Sequence, residues 1–313
     1  MRTSTDVSTS AADAAERRGR SGSSDRPWLT ILLFWMAVTT LLVGFTVAMA
    51  KGVPYFGDDA MRMVTIVELL EGQHWQDLSL DRDNTPYGTT MHWSRLIDLP
   101  IAGLVLLARP FVGHPLSLDV AASIWSSLLL LGLLLLSVRF VRATVPDADT
   151  MTGLALPVVS IVILIEFLPG RVDHHNVQIL LGLCAAIALT GMRRRIAGGV
   201  IAGLAVATSL AIGMESIPIV VATIAIFALL WLADPSAYRG PLAAFGVVLA
   251  TATTAHFLFA TAPADYAMAV CDMLSITYVV PAIVGGGALA LIAWSGTGRG
   301  NVYVRGALLA AGG

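Results

Sequence analysis

The feature that most constrains this chain is a series of long apolar stretches separated by short polar segments. Hydrophobic residues make up 56% of its 313 residues and charged residues only 13%, whereas about a quarter of a typical soluble domain is charged. A helix needs about 20 apolar residues to cross the hydrocarbon core of a bilayer. The sequence therefore predicts an all-α, polytopic transmembrane helical bundle of about eight complete spans. The predicted spans are residues 28–50, 118–138, 151–168, 177–191, 197–213, 216–233, 241–261 and 276–294.

The two ends of the chain are expected to differ from this bundle. Residues 1–27 are rich in Ser, Ala and Arg without apolar periodicity, which predicts a disordered cytoplasmic tail. The apolar segment that follows is too long for a signal peptide. Residues 28–313 are predicted to form one transmembrane domain, with residues 51–117 as its first outer loop. The final residues, 301–313, read as a helix cut after one or two turns, which predicts truncation at the C-terminus.

The distribution of basic residues predicts the orientation of the bundle. With the N-terminal tail in the cytoplasm, 13 of the 19 basic residues lie on the cytoplasmic side, as the positive-inside bias requires. The apolar stretch 99–112 is broken by Arg109-Pro110 and is predicted to be interfacial or re-entrant. A further span there would place Arg193–Arg195 outside. We therefore expect a multi-pass protein of the inner (plasma) membrane, with its active site facing the periplasm or exterior.

The first outer loop begins with an acidic pair and an amphipathic pattern. Apolar residues recur at helical spacing from Asp58 to Gly72, which predicts a short helix on the membrane surface. Asp58 and Asp59 lie at its start, where the helix dipole favours negative charge. A simple N-capping role for Asp58 is the alternative.

The stretch VDHHN, residues 172–176, lies between two predicted spans on the same outer side. Asp173 and His175 can present a carboxylate oxygen and an imidazole nitrogen to one cation, a set that suits Mn²⁺ or Mg²⁺ better than structural Zn²⁺. Alternatively, Asp173 caps the following helix and the histidines lie at the interface. The nearby acidic pair favours a metal site, because ionisable groups near membrane depth are costly and usually functional.

Several other outer residues are candidates for binding the phosphate or sugar of a substrate. Arg95 and Arg171 match phosphate geometry, although an interfacial Arg can also extend to water without a ligand. His92 and His174 are polar-ligand candidates, and Glu215 is a ligand, a partner for Arg171 or a hinge cap.

Other classes of function find no support in the sequence. The chain has no P-loop, dinucleotide fingerprint or HExxH motif, which argues against a nucleotide-driven pump. No basic patch is interleaved with aromatic residues, which argues against nucleic acid as a partner. Cys184 and Cys271 lie far apart and predict no disulfide framework.

Together these residues resemble the GT-C superfamily of membrane glycosyltransferases, particularly the catalytic subunits of oligosaccharyltransferases. The similarity rests on the acid after the first span, the helix behind it and the DHH sequence before the fourth span. It implies that Asp58, with Asp59 as the alternative, is the catalytic acid. It also implies that Asp58, Asp173 and His175 hold a divalent metal, Mn²⁺ or Mg²⁺.

The activity implied by the resemblance is sugar transfer, with inversion, from a polyprenyl-phosphate-linked donor on the extracytoplasmic face. The partners would be that donor and membrane lipids. The chain lacks the family's Trp-Trp-Asp-Tyr-Gly motif and a clear later outer-loop Glu, so the acceptor is left open. The alternative functions are a transporter or flippase for a lipid-linked sugar, which would favour midplane ionisable residues and an internal repeat, and a non-catalytic membrane scaffold.

Overall fold

A computed structural model describes residues 26–50, 52–191, 195–295 and 306–307. The predicted tail therefore lies outside the described residues except for its last two positions, as do Arg193, Arg194 and most of the C-terminal stretch 301–313. The α-helices are α1 (Pro27–Met49), α2 (Asp58–Leu70), α3 (Asp98–Val112), α4 (Leu116–Thr144), α5 (Thr150–Val159), α6 (Ile161–Ile165), α7 (His175–Gly191), α8 (Ile196–Ile212), α9 (Ile217–Ala233), α10 (Pro235–Ala260) and α11 (Ile276–Trp294).

The length and composition of the helices fit a multi-pass membrane protein. Five segments are long and apolar enough to cross a membrane, namely Pro27–Met49, Leu116–Thr144, Met214–Ala233, Pro235–Ala260 and Ile276–Trp294. Helices α7 and α8 are also apolar but have 17 residues each. The prediction of an all-α membrane bundle is thus confirmed, while the count of eight spans and the orientation stay predictions.

The predicted span 151–168 is not continuous. The extended backbone at Ser160 divides it into α5 and α6. Pro157 has no N–H to bond to the carbonyl four residues earlier, which is that of Gly153. The Ser137 hydroxyl donates a hydrogen bond of 2.7 Å to that carbonyl instead. The sequence predicted one continuous span over residues 151–168. The structure corrects this prediction, since the helix is interrupted at Ser160, three residues after Pro157, which weakens the helix.

The largest core lies among α8, α9, α10 and α11. Phe227 and Phe245 stack with their ring centroids 4.3 Å apart, and Trp231 and Leu242 are fully buried beside them. A Cβ on Gly246 of α10 would overlap the Gly286 carbonyl of α11. Glycine at this crossing therefore lets two apolar helices approach closely.

Residues 52–117, which were predicted to form the first outer loop, fold onto one end of this bundle. Helix α2 begins at Asp58, as predicted, and ends at Leu70. The loop also contains an antiparallel pair of two-residue strands, β1 (Ser79–Leu80) and β2 (Thr89–Thr90), which the all-α prediction omitted. The apolar stretch 99–112 forms α3, whose 15 residues extend about 22 Å. This length is short of a full span, and its interfacial or re-entrant position stays a prediction.

One apolar cluster joins the outer loop to the segment that precedes α7. Ile66 of α2, Ile101 of α3 and Ala122 of α4 pack with Val172 and with Ile212 at the end of α8. Each is almost completely buried. This cluster holds the acidic start of α2 against the DHH segment.

Candidate active site

The segment from Pro169 to His174 makes a tight turn before α7. Gly170 has φ +93°, and a Cβ there would lie 2.5 Å from Val53 Cγ1 and 2.7 Å from the Pro54 carbonyl oxygen. Only glycine fits such a position without strain. The Arg171 carbonyl accepts hydrogen bonds from Ser126 Oγ at 2.9 Å and Asn176 Nδ2 at 3.1 Å. The turn is therefore fixed by α4 and by the start of α7.

Asp59 connects the first outer loop to this turn. Its Oδ1 accepts hydrogen bonds from the backbone N–H groups of Val172, at 2.9 Å, and Asp173, at 3.0 Å. Its Oδ2 pairs with the Arg171 guanidinium, which also pairs with Glu166. The two predicted segments, more than a hundred positions apart in the sequence, therefore meet in the structure.

Asp59 and Arg171 each affect the pKa of the other through their opposite charges. Burial raises the pKa of Asp59, whereas Arg171 and the two backbone N–H groups oppose that rise. Burial lowers the pKa of Arg171, but Glu166 and Asp59 outweigh it and raise the pKa overall. Every oxygen of Asp59 is occupied by a partner in the protein, so in this arrangement the carboxylate holds the turn in place.

Asp173, His174 and His175 form a compact cluster of possible metal ligands. Each offers one ligand atom, and these atoms lie within 4.8 Å of one another. Asp173 Oδ1 lies 2.6 Å from His174 Nδ1, and Asp173 Oδ2 lies 3.6 Å from His175 Nε2. Asp173 and His174 are buried, whereas the His175 side chain is 40% exposed. The cluster is thus enclosed on one side and open on the other.

Two atoms of this cluster lack the hydrogen bonds that buried polar groups normally make. Asp173 Oδ1 and His174 Nδ1 are close, but they are not aligned as a hydrogen bond and have no other partner in the described part of the chain. A shared cation would satisfy both atoms. Burial raises the pKa of Asp173, but the imidazole and backbone N–H of His174 hold that pKa well below its usual range. The carboxylate is therefore ionised.

The second nitrogen of His174 faces Glu215, on the turn between α8 and α9. His174 Nε2 lies 3.2 Å from Glu215 Oε2, and the Glu215 side chain is 50% exposed. A Cβ on Gly213 would lie 2.5 Å from that oxygen and 2.9 Å from His174 Nε2. Gln178 donates a hydrogen bond of 3.0 Å to the Gly213 carbonyl. Gly213 therefore leaves the space in which the imidazole and the carboxylate meet.

Trp93 forms a wall of the cluster. Its ring centroid lies 5.8 Å from that of His174 and 5.1 Å from that of His92. The Arg62 guanidinium lies 5.2 Å from the same ring centroid, within the range of a cation–π contact. His92 thus contacts Trp93, which in turn contacts His174.

Arg95 is buried and is bonded to other residues of the same loop. Arg95 is 2% exposed, and its guanidinium donates hydrogen bonds to the Thr65 carbonyl, the Gln73 side chain and the Asp77 carbonyl. Burial lowers the pKa of Arg95, opposed by Asp98, Asp77 and Glu68. The predicted phosphate contact of Arg95 has no support in this arrangement, because the guanidinium holds the outer loop together.

Asp58 is the exposed first residue of α2, beside the buried Asp59. It lies outside the three-residue group of possible metal ligands identified among the described residues. The acid that contacts the turn is therefore Asp59, although the sequence favoured Asp58. The metal-binding role of Asp58 stays a prediction. No sequence signal pointed to Gly213 or Ser126, whose roles depend on neighbours from other helices.

Comparison with known proteins gives a likeness of fold. No model of a protein family and no curated protein matches this sequence. The crystal structure of the apo oligosaccharyltransferase of Archaeoglobus fulgidus matches 92% of this chain with a TM-score of 0.66 and 15% sequence identity. Archaeal oligosaccharyltransferase AglB from the same organism, in complex with an inhibitory peptide and a dolichol-phosphate, matches 90% with a TM-score of 0.62 and 17% identity.

This chain spans 37% and 36% of the length of those two structures. The match confirms the predicted resemblance at the level of fold. The described helices are arranged like part of the archaeal oligosaccharyltransferase of A. fulgidus.

Proposed function

We propose that this protein is a GT-C-type membrane glycosyltransferase that transfers a sugar from a polyprenyl-phosphate-linked donor to an acceptor on the extracytoplasmic face. The observation that carries the proposal is the buried, incompletely satisfied Asp173–His174 pair, held in place by Asp59 and opening at His175. We further propose that residues 28–313 form one domain of eight spans in the inner membrane, with a cytoplasmic N-terminus. The positive-inside bias supports this orientation.

The donor atoms of the cluster suit a divalent cation. Asp173 supplies carboxylate oxygens, and His174 and His175 supply imidazole nitrogens within 4.8 Å. The imidazoles favour Mn²⁺ over Mg²⁺, which prefers oxygen ligands alone. When bound, such a cation neutralises negative charge on a leaving phosphate. Asp58 stays a predicted further ligand.

The other residues of the site have roles that follow from their exposure. Asp58 is exposed beside the turn, and we assign it to the acceptor as a general base or positioning acid, a role that requires hydrogen-bond reach of the reacting group. Asp59 holds the turn in position by accepting hydrogen bonds from the backbone N–H groups of Val172 and Asp173. The Arg171 side chain is 20% exposed, which supports contact with a substrate phosphate. Glu215 is held by His174 and supports contact with the sugar or acceptor hydroxyl groups.

An apolar cavity supports a lipid-linked substrate. It has a volume of about 390 Å³ and lies among α8, α9, α10 and α11, where Val220, Leu249 and Ala282 are part of its lining. Ile217, at the start of α9, also lines it and lies two residues after Glu215. An apolar chain in this cavity would place its head group beside the cluster. AglB of A. fulgidus was solved with a dolichol-phosphate, which supports the same class of donor here.

The proposal is tested by sugar transfer in proteoliposomes that contain a radiolabelled polyprenyl-phosphate sugar and a mixture of acceptors. We expect Asp173→Asn to lower the rate at least about 100-fold, because a ligand and its charge are lost. Asp272→Asn changes an exposed acid that does not belong to the three-residue cluster; it is the matched control and should keep full activity. Mn²⁺ should restore activity after chelation in the wild type but not in Asp173→Asn.

The same vesicles separate the enzyme from the alternative function. A flippase for a lipid-linked sugar would move the donor between leaflets without cleaving its sugar–phosphate bond. Donor translocation without sugar transfer, or transfer that is unaffected by Asp173→Asn, would contradict the proposed enzyme.

A further inference from the structure

We call Asp173, His174 and His175 the acid–imidazole cluster. A second cavity lies at the other end of α7, remote from this cluster. Its volume is about 360 Å³, and it forms where α4, the end of α7 and the start of α8 meet. Leu136, Ile187 and Ile201 give it an apolar lining, and Arg139 and Arg195 border it. The cavity thus combines an apolar interior with two cationic groups.

The length of α7 places this cavity at the opposite boundary of the membrane. The helix runs from His175, in the cluster, to Gly191, in the lining of the cavity. Its 17 residues extend about 25 Å, which is close to the thickness of a bilayer's hydrocarbon core, about 30 Å. This relation holds whichever face of the protein is cytoplasmic.

The two arginines differ from their neighbours at the same boundary. Arg142 donates a hydrogen bond of 2.8 Å to the Thr150 hydroxyl, and Arg239 donates one of 2.7 Å to the Trp294 carbonyl. Arg139 and Arg195 are exposed, and neither forms a side-chain hydrogen bond or an ion pair with the residues that the structure describes. The positive-inside bias accounts for arginines at this level, but it does not account for a cavity bordered by two arginines that have no side-chain partner among the described residues.

We infer that this cavity binds an anionic phospholipid of the leaflet opposite the acid–imidazole cluster. The lipid phosphate lies between the Arg139 and Arg195 guanidinium groups, since arginine matches phosphate oxygens in a bidentate manner. An acyl chain lies against Leu136, Ile187 and Ile201. Basic pockets between transmembrane helices are known to hold anionic head groups.

The small residues around the cavity support a lipid rather than a side chain of the protein as its occupant. Ala188 and Gly198 line it, and a Cβ on Gly191 would meet no atom within 4 Å. A zwitterionic lipid is disfavoured, because its positive group would lie near two arginines. The expected ligand is therefore a phospholipid with a net negative charge.

The inference is tested with purified full-length protein by native mass spectrometry, using dioleoyl phosphatidylglycerol and dioleoyl phosphatidylcholine at equal concentrations. We expect the wild type to retain phosphatidylglycerol preferentially. Replacing both Arg139 and Arg195 by Gln should weaken that retention by about fivefold per arginine, or about 25-fold in total. The double variant Arg142→Gln/Arg239→Gln loses the same charge outside the cavity and should keep the preference.

Two further measurements separate the lipid from other sources of phosphate and from a general charge effect. Gly191→Leu should lower lipid retention without changing charge, because the side chain occupies the cavity. Inorganic phosphate alone should not compete with phosphatidylglycerol at equal concentration. Equal loss in both double variants, unchanged retention in Gly191→Leu, or effective competition by phosphate would each overturn the inference.

Discussion

Two groups of charged side chains contact Trp93, and they differ in how far they are exposed to solvent. The arginine group, Arg62, Arg95 and Asp98, is 1–3% exposed and is bonded within the outer loop. The acid–imidazole cluster reaches solvent through His175 and Glu215, which are 40% and 50% exposed. Burial and charge are common to both groups, so they do not identify a functional site. Access from outside, together with ligand atoms close enough to share one cation, does.

The largest expected effect on stability is at the arginine group, which is almost completely buried. Asp98→Asn should destabilise the protein by about 3–5 kcal/mol, because it leaves the buried Arg62 and Arg95 charges without their carboxylate. The Asp98 carboxylate accepts a hydrogen bond of 2.7 Å from Arg62 and one of 3.1 Å from Thr65. The free energy of unfolding in detergent, measured by chemical denaturation, provides the test.

Asp265→Asn is the matched control, since Asp265 is exposed in the outer loop before α11. Its substitution should change the free energy of unfolding by less than about 0.5 kcal/mol. If the two substitutions had equal effects, the arginine group would not stabilise the loop.

The acidic pair at the start of α2 should separate stability from activity. Asp59→Asn should cost about 2–3 kcal/mol, because charge-assisted hydrogen bonds to Arg171 and to two backbone N–H groups are weakened. Asp58→Asn should leave the free energy of unfolding within about 0.5 kcal/mol of wild type, as expected for an exposed side chain. It should nevertheless lower sugar transfer at least about 100-fold if Asp58 is the general base.

Thermal or chemical unfolding and sugar transfer must be measured on both variants. Asp58→Asn with full activity would remove Asp58 from the site. An unchanged stability of Asp59→Asn would contradict the role of Asp59 in holding the turn.

The difference between Asp58 and Asp59 also defines what could be predicted from the sequence. Apolar length predicted most long helices, because lipid-facing helices must be apolar throughout. The helical period predicted α2 and its starting residue. Adjacent residues on a helix point about 100° apart, so only the packing of α2 on Val172 and Ile101 decides which acid is buried.

Burial of polar groups was the main feature that could not be predicted. Arg95 was expected to bind phosphate, yet its bonding partners Gln73 and Asp77 are distant enough in sequence that only the folded loop brings them together. The break at Ser160 was likewise missed, because Pro157 is tolerated or disruptive according to its neighbours. Hydropathy predicts whether a segment lies in lipid or in water, but it does not predict which residues that segment contacts.

Gly213 provides a smaller test at the border of the open cluster. Gly213→Ala should cost about 1–3 kcal/mol through overpacking, because the added Cβ would meet the buried His174 ring 2.9 Å away. Gly103→Ala is the matched control, since a Cβ there would meet no atom within 4 Å. It lies within α3, where alanine should be neutral or stabilising. Equal stability of the two variants would show that His174 moves away from the glycine without cost.

A small effect on stability is also expected at Glu215, where the contrast with Asp98 is sharpest. Both carboxylates contact a cationic or potentially cationic side chain, but Glu215 is half exposed whereas Asp98 is buried. Exposed ion pairs contribute about 0–1 kcal/mol, so Glu215→Gln should change the free energy of unfolding by less than that amount. The glutamine oxygen can still face His174 Nε2, which keeps the local arrangement. A decrease in sugar transfer at unchanged stability would place Glu215 on the substrate side of the cluster. A large loss of stability would instead mean that the acid–imidazole cluster is closed in the same way as the arginine group, and the distinction between the two groups would fail.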